Sequence, residues 1–524
     1  MDYGKIRVIR KNRMELFSVT IRMGRYTYTA GWRYRGQAQV KNSVVDLPEK
    51  ILSRLGKYEN AGETMASKEK NILGTEEVGS LLLKFAIPSV IAMLVSSLYN
   101  IVDQFFIGRY VGVLGNAATN VAFPLTITYV AISLLCGIGG AANFNLSMGR
   151  GDKKRAEQFA GGAISMMLIL GITLCIVVQI FLEPLMHLFG ATDRVLEYAM
   201  SYTRITAWGF PLIIITTGGS NLVRADGSPK FSMICTLTGA IINTVLDALF
   251  IITFDMGIAG AAYATVIGQA VSALMVLIYL SRFKTVHLRL ASLKPQKNSW
   301  GPIMSLGVAP FFNQLSMMVV QILLNNSLTF YGERSVYGGD IPMACAGISS
   351  KVNMIFFSIV IGIAQGIQPI ISFNYGAKKY ERVKKTYLKA AKAAILISTV
   401  GFVLFQLFPR QIIGIFGSGN EYYFQFAERF FRIYLFCTFI NGLQPITANL
   451  FTAIGQAKLG VFVSLTRQII FLLPLLVILP WMMGIDGIMF AAPISDAMAA
   501  LVSIVLTVRE FKKMNALEKK TLEQ

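Results

Sequence analysis

Histidine and charge are what this chain has least of. Its two histidines, His187 and His287, sit far apart in connecting segments, which leaves no basis for a His-based metal or catalytic centre. The five cysteines, Cys136, Cys175, Cys235, Cys345 and Cys437, stand singly in apolar runs. Their odd number and lack of metal or redox spacing give no disulfide framework. Charged residues make up 15% of the 524 positions, where soluble domains carry roughly 25%, so a soluble enzyme is excluded. No Gly-rich phosphate loop is present, which removes ATP hydrolysis as an energy source. There is also no His-Glu metal motif, no nucleophile beside a base and no sizeable extracellular domain, so an intramembrane enzyme or receptor is set aside.

Apolar sequence is what is abundant. Hydrophobic residues reach 54% and the mean hydropathy is +0.56. A helix needs about 20 apolar residues to cross a bilayer. Twelve such spans are predicted, at 81–107, 117–143, 158–182, 195–222, 231–254, 258–281, 302–330, 342–373, 386–408, 424–452, 459–483 and 486–508. The fold class is therefore an all-α polytopic membrane protein. Pro88, Pro124, Pro211, Pro310, Pro369 and Pro445 fall within spans, where membrane helices tolerate them as bends.

The net charge of +21 would suggest nucleic acid in a soluble chain. Here the Lys and Arg lie between apolar runs, so no nucleic-acid partner is expected. Loops after even-numbered spans hold eighteen of them, including Arg150, Lys153, Arg224, Lys284, Lys378 and Arg382. Loops after odd spans hold four, Arg109, Arg194, Arg334 and Arg410. The positive-inside rule then puts both termini in the cytoplasm of a multi-pass plasma-membrane protein.

Residues 1–64 differ from the rest, with 13 Lys and Arg against 6 Asp and Glu and no sustained periodicity. They contain no signal-peptide core. A basic membrane-surface arm is one reading; a poorly ordered or non-native start, with translation beginning at Met65, is the favoured one. The expected division is a basic extension over 1–70, a first lobe over 71–282, a cytoplasmic linker over 283–302, a second lobe over 303–510 and a cytoplasmic tail over 511–524.

The chain repeats internally. Met256-Gly257-Ile258-Ala259-Gly260, continued to Ala270, matches Met483-Gly484-Ile485-Asp486-Gly487, continued to Ala497, at seven of fifteen positions. Gly151-Asp152-Lys153-Lys154 also matches Gly376-Ala377-Lys378-Lys379. Six spans separate the copies, so both enter the membrane in the same sense. Two parallel six-helix repeats around an axis along the membrane normal are a transporter architecture, expected to rock about the linker.

Against this apolar background a few polar groups stand at one depth. Asp103 lies near the outer end of span 1, and Asn243 and Asp247, four apart on one helix face, lie in span 5. Thr265 lies in span 6. At 1.5 Å per residue all are roughly 8–12 Å inside the outer boundary. Acids inside a bilayer are costly and mark function. Two carboxylates with amide and hydroxyl oxygens suit a proton or a hard cation such as Na⁺. The repeat aligns them with Asn325, Phe471, Leu475 and Ala492, so the set occurs once. Asp496, in span 12, has Arg467 as a candidate partner, unless that Arg reaches to the inner surface.

From about Lys70 to Arg509 the chain resembles the multidrug and toxic compound extrusion (MATE) family. The residues that carry the resemblance are Tyr99-Asn100-Ile101-Val102-Asp103 with Ile107-Gly108, the Asn243 and Asp247 pair, and Gly257-Ile258-Ala259-Gly260-Ala261-Ala262-Tyr263-Ala264-Thr265 followed by Gln269. The resemblance implies two six-helix lobes and export of amphipathic, often cationic drugs in exchange for H⁺ or Na⁺. It assigns Asp103, Asn243, Asp247 and Thr265 to a first-lobe cation site, with Tyr99 beside it. Asn221, Asn313 and Gln314 are candidates for the substrate cavity. Some family branches carry acids in spans 7 and 10; here those spans offer Asn313 and Gln314 and no central acid. No cofactor beyond the coupling ion is expected, and the partners are small-molecule drugs and the lipid bilayer, with the protein a monomer. The alternative is a lipid-linked oligosaccharide flippase of the same superfamily; spans 1 and 2 lack the central Arg such a cargo needs.

Overall fold

The computed structural model describes residues 6–11, 14–23, 26–34, 71–416 and 421–522. The chain forms two compact units, Met1–Lys70 and Asn71–Gln524. In the first, β1 (Ile6–Lys11), β2 (Met14–Met23) and β3 (Tyr26–Tyr34) pair as an antiparallel meander in the order β1-β2-β3. Regular structure there departs from the expectation. β2 alternates in Phe17, Val19 and Ile21, and each pairing closes after two intervening residues, Lys11 with Met14 and Met23 with Tyr26. Met65, the proposed start, lies outside the described residues.

The second unit is the membrane body. Ten of its helices are long and apolar enough to cross a bilayer: span 1 (Val78–Val111), span 2 (Val113–Gly149), span 3 (Lys153–Ile180), span 5 (Pro229–Thr253), span 6 (Gly257–Ser281), span 7 (Lys297–Gly332), span 8 (Asp340–Gly376), span 9 (Tyr380–Leu407), span 11 (Ala457–Met483) and span 12 (Ile485–Lys520). Spans 4 and 10 are crossings built from shorter helices. Span 4 is Asp193–Trp208 followed by Phe210–Ala225. Pro211 enters the second helix, and without an N–H it cannot continue the first. Span 10 is Glu421–Tyr434, Thr438–Asn441 and Leu443–Ala453, with Pro445 in the last piece. Bends were expected in both places, from Pro211 and Pro445; the structure breaks the helices there outright. The twelfth helix runs on to Leu522, so most of the expected tail is helical. It is held there by buried Met514 and by contacts from Lys384 to Asn515 and Glu518. The linker is likewise shorter than 283–302, because span 7 begins at Lys297.

Three π-helical stretches interrupt the spans: Ile107–Val111 in span 1, Ala248–Thr253 in span 5 and Thr466–Leu472 in span 11. Such bulges add a residue to a turn and occur often at functional sites. The first two begin immediately beyond the turns that carry Asp103 and Asp247.

Close backbone contacts join the halves in reciprocal pairs. A Cβ on Gly139 would meet the Ile303 carbonyl at 2.0 Å and one on Gly307 the Leu135 carbonyl at 1.9 Å. One on Gly366 would meet Ala86 Cα at 2.7 Å, and one on Gly362 would meet Val90 Cα at 2.5 Å. Gly149 faces the Phe373 carbonyl as Gly376 faces that of Leu146. Only glycine permits this approach of spans 2 and 7, 1 and 8, and 2 and 8. The exchange of partners is what a two-fold along the membrane normal requires.

The same contacts set the repeat register and correct two alignments. Ala86 and Val90 correspond to Ile303 and Gly307, which carries Asp103 onto Val320 rather than Asn325. Asn325 instead accepts a hydrogen bond from Gln321 at 2.8 Å. The left-handed residues in the loops after spans 2 and 8 are Gly151 (φ 79°) and Lys378 (φ 59°), so the loop match shifts by two residues. Gly227 (φ 85°) and Gly455 (φ 84°) turn the chain after spans 4 and 10.

Candidate functional site

The first-half polar residues meet. Asp103 lies in the last turn of the regular part of span 1 and is 8% exposed, while Asp247 ends that of span 5 and is fully buried. Their carboxyl groups lie within hydrogen-bonding reach of each other. Each leaves one buried oxygen, Oδ1, without a partner among the described residues. No Lys or Arg pairs with either carboxyl among the described residues.

Asn243, one turn before Asp247, is buried and joins spans 5 and 6. With its amide one way round, Nδ2 donates to Thr265 Oγ1 at 3.3 Å. With the amide reversed, Nδ2 donates to Asp247 Oδ2 at 3.2 Å and the amide oxygen accepts from the Thr265 backbone N–H at 3.3 Å. The hydrogen-bond network decides between these, and the second satisfies both ends of the amide. The approach of spans 5 and 6 that allows it is made by Gly239 and Gly268. A Cβ on Gly268 would lie 2.8 Å from the Gly239 carbonyl and 3.1 Å from Asn243 Cβ.

Tyr99 is half-buried one turn before Asp103, within electrostatic reach of both carboxyls. Tyr129 of span 2 and Tyr202 of span 4 share that surrounding. The sequence reading passed over both. Only the break at Gly209 and the packing of span 4 against spans 2 and 6 bring Tyr202 in. Beside the cluster is a small cavity of about 30 Å³, lined in part by Tyr129, Tyr202, Thr206, Thr265 and Gln269. Gln269 Oε1 is buried without a partner. Polar walls and unsatisfied oxygens make such a space suitable for water.

The other candidates lie apart from this cluster. Asn221 is buried and engaged, donating to the Thr217 carbonyl and accepting from Arg224 Nη2 at 2.7 Å. Asn313 and Gln314 are half-buried in span 7, and Asn313 Nδ2 lies 4.0 Å from Met317 Sδ. Arg467 does pair with Asp496, through Nε at 2.5 Å, and the pair is buried inside the second half. An exposed charge within span 8, Lys351, was also overlooked.

These features can be set beside known proteins. A family model described as MatE matches residues 88–249 and 315–478, one block in each half. The chain belongs to the MATE family. Its members are transporters, which removes the enzyme reading, and this MATE protein is a multi-pass membrane protein of twelve crossings. Among curated relatives, multidrug export protein MepA of Staphylococcus saprophyticus is 25% identical over 426 residues, covering 81% of this chain and 92% of the relative. MepA of Staphylococcus haemolyticus is 24% identical over 442 residues, covering 84% and 96%. Among solved structures, an outward-facing multidrug resistance MATE family transporter superposes with a TM-score of 0.78 at 23% identity, covering 84% of this chain and 99% of the other. A MOP superfamily transporter from Pyrococcus furiosus, described as having a binding pocket of reverse polarity that suggests a different function, gives 0.78, 23%, 84% and 99%.

Proposed function

We propose that this MATE protein is a secondary active antiporter that exports amphipathic, often cationic small molecules in exchange for H⁺ or Na⁺. Its coupling ion would bind at Asp103, Asn243, Asp247 and Thr265. The observation that carries this reading is the meeting of two carboxyl groups inside the membrane with no basic residue paired to either. Two carboxylates in contact repel unless a proton or cation lies between them. A proton would be shared between the carboxyls, whereas Na⁺ would favour the orientation of Asn243 whose oxygen faces Asp247, with the Thr265 hydroxyl as a further neutral oxygen. Loading the site from outside neutralises it, so the first half can change shape without carrying an unpaired charge through lipid. Export of several drugs is the activity named for the MepA relatives, and a central pathway between the halves suits it. The basic loops would face the cytoplasm with both termini, and the protein would act as a monomer.

The test is drug efflux from whole cells with the pH and Na⁺ gradients collapsed separately. Asp103→Asn with Asp247→Asn should insert, bind substrate and fail to export it against a gradient. Asn325→Ala, in the second half, should cost far less. Active export by the double variant would falsify the assignment.

A further inference from the structure

Arg224 is the charge this mechanism leaves unused. It sits at the end of span 4, where the basic loop begins, and is 3% exposed. Its guanidinium donates to Asn221 Oδ1 at 2.7 Å, Gln365 Oε1 at 2.9 Å and Ser232 Oγ at 3.0 Å. All three acceptors are neutral. The nearest acid in sequence, Asp226, is fully engaged elsewhere, accepting from Tyr279, from the Lys284 and Thr285 backbone N–H groups and from the Thr285 hydroxyl. A buried cation held without a carboxylate is costly and calls for a reason.

The fold does not need it. The segment Asn221-Leu222-Val223-Arg224-Ala225-Asp226-Gly227 repeats in the second half as Asn449-Leu450-Phe451-Thr452-Ala453-Ile454-Gly455. Both copies turn on a left-handed glycine, yet the second has Thr452 in place of the Arg and Ile454 in place of the Asp. The same corner therefore closes without either charge.

What distinguishes Arg224 is its reach across the halves. Asn221 and Ser232 belong to the first half, whereas Gln365 is on span 8 of the second. Gln365 sits among the contacts that bring the halves together toward the basic-loop face. Gln368, one turn on, donates to the Ile138 carbonyl at 3.0 Å, and Asn374 donates to that of Leu73 at 2.8 Å. Asn143 donates to the Pro302 carbonyl at 3.0 Å from the other side.

We propose that Arg224 and Gln365 form a reversible latch that closes the basic-loop face, and that the neutrality of Gln365 is what keeps it reversible. When the halves part, Arg224 loses one of three neutral acceptors and gains water, so opening exposes no unpaired acid and breaks no ion pair. A carboxylate at position 365 would change this. It would offer the guanidinium two charged oxygens where the amide offers one neutral oxygen, and parting would separate two opposite charges. The latch rests on the alternating-access reading above, but not on which ion drives it.

The experiment uses Ser147→Cys in a cysteine-free background. Ser147 is buried and lines a cavity of about 190 Å³ with Asn143, Pro302 and Ser305, where the halves meet. Its reactivity toward an impermeant thiol reagent applied to the basic-loop face reports opening, with no gradient present. Gln365→Glu should lower that reactivity about tenfold or more and slow export to match, and adding Arg224→Gln should restore both. Gln365→Leu, which strands the guanidinium, should raise the reactivity. Unchanged reactivity in Gln365→Glu, or a loss that Arg224→Gln fails to restore, overturns the latch. Should Gln365→Glu not fold, Gln365→Leu decides alone: increased reactivity supports the latch and unchanged reactivity refutes it. Because no gradient is applied, failure of the cation-site assignment would leave this readout intact.

Discussion

Gly307 offers the most direct measure of how tightly the halves close. In span 7 it lies so near span 2 that a Cβ built on it would be 1.9 Å from the Leu135 carbonyl oxygen. Real Cβ contacts essentially never fall below 3.0 Å, so Gly307→Ala requires the two backbones to part by at least 1.1 Å. Both are rigid helices, and the atom struck is backbone rather than the end of a flexible side chain. Overpacking of this kind costs about 1–3 kcal/mol. The strain vanishes if the halves swing apart at the basic-loop face, so the cost falls on the closed state alone. A bias of that size shifts the population toward the open state about 5–150-fold, read as increased Ser147→Cys reactivity from that face. Gly301→Ala, in the same helix with nothing within 4 Å of its Cβ, is the control and should leave reactivity unchanged. If Gly307→Ala leaves the reactivity unchanged, or merely lowers the unfolding temperature, the glycine contact does not belong to a state that opens. The reasoning from reciprocal contacts then fails.

The buried Arg467 and Asp496 pair should behave as a closed structural unit. Removing one partner, by Arg467→Met or Asp496→Asn, should destabilise the protein by about 3–5 kcal/mol in detergent unfolding, while Arg467→Met with Asp496→Leu should recover most of it; single variants as stable as the parent would show the pair to be solvated. For orientation, cysteine labelling should reach the loop around Gly339 from outside and the loop around Lys379 only after permeabilisation. The reverse pattern would invert the topology.

Much of the membrane body was legible because lipid imposes a long apolar run on each crossing. Even the two broken crossings carry that run, and their breaks were marked by Pro211 and Pro445. The meeting of the polar residues was legible too, since Asn243 and Asp247 share a helix face and Thr265 and Asp103 stand at their depth. What could not be read was contact between helices distant in sequence. Tyr129 and Tyr202 are ordinary aromatic residues in apolar runs until span 4 bends. Asp103 was expected to align with Asn325, which lies five residues beyond its counterpart in the same helix. Backbone contacts at Gly307 and Gly362 give Val320, an apolar residue with nothing in its chemistry to suggest kinship. The N-terminal meander was missed for a different reason: β2 and β3 do alternate, but over ten residues or fewer, and β1 carries Arg7 and Arg10 on opposite faces, which breaks the pattern across the segment.

The two halves agree in what they do with backbone and differ in what they do with charge. Left-handed turns, broken fourth crossings and reciprocal glycine contacts recur in both, and these features set how the halves meet and part. Charge inside the membrane is divided unevenly. The second half closes Arg467 on Asp496. Among the described residues, the first half keeps two carboxyls unpaired to any base and an arginine held by neutral oxygens. An ion shifts a conformational equilibrium only by its difference in affinity for the two states. A site duplicated in both halves would have to be emptied and filled twice for each movement. With the two carboxyls that no base neutralises confined to spans 1 and 5, a single ion bound there would bias a motion whose geometry is shared by both halves.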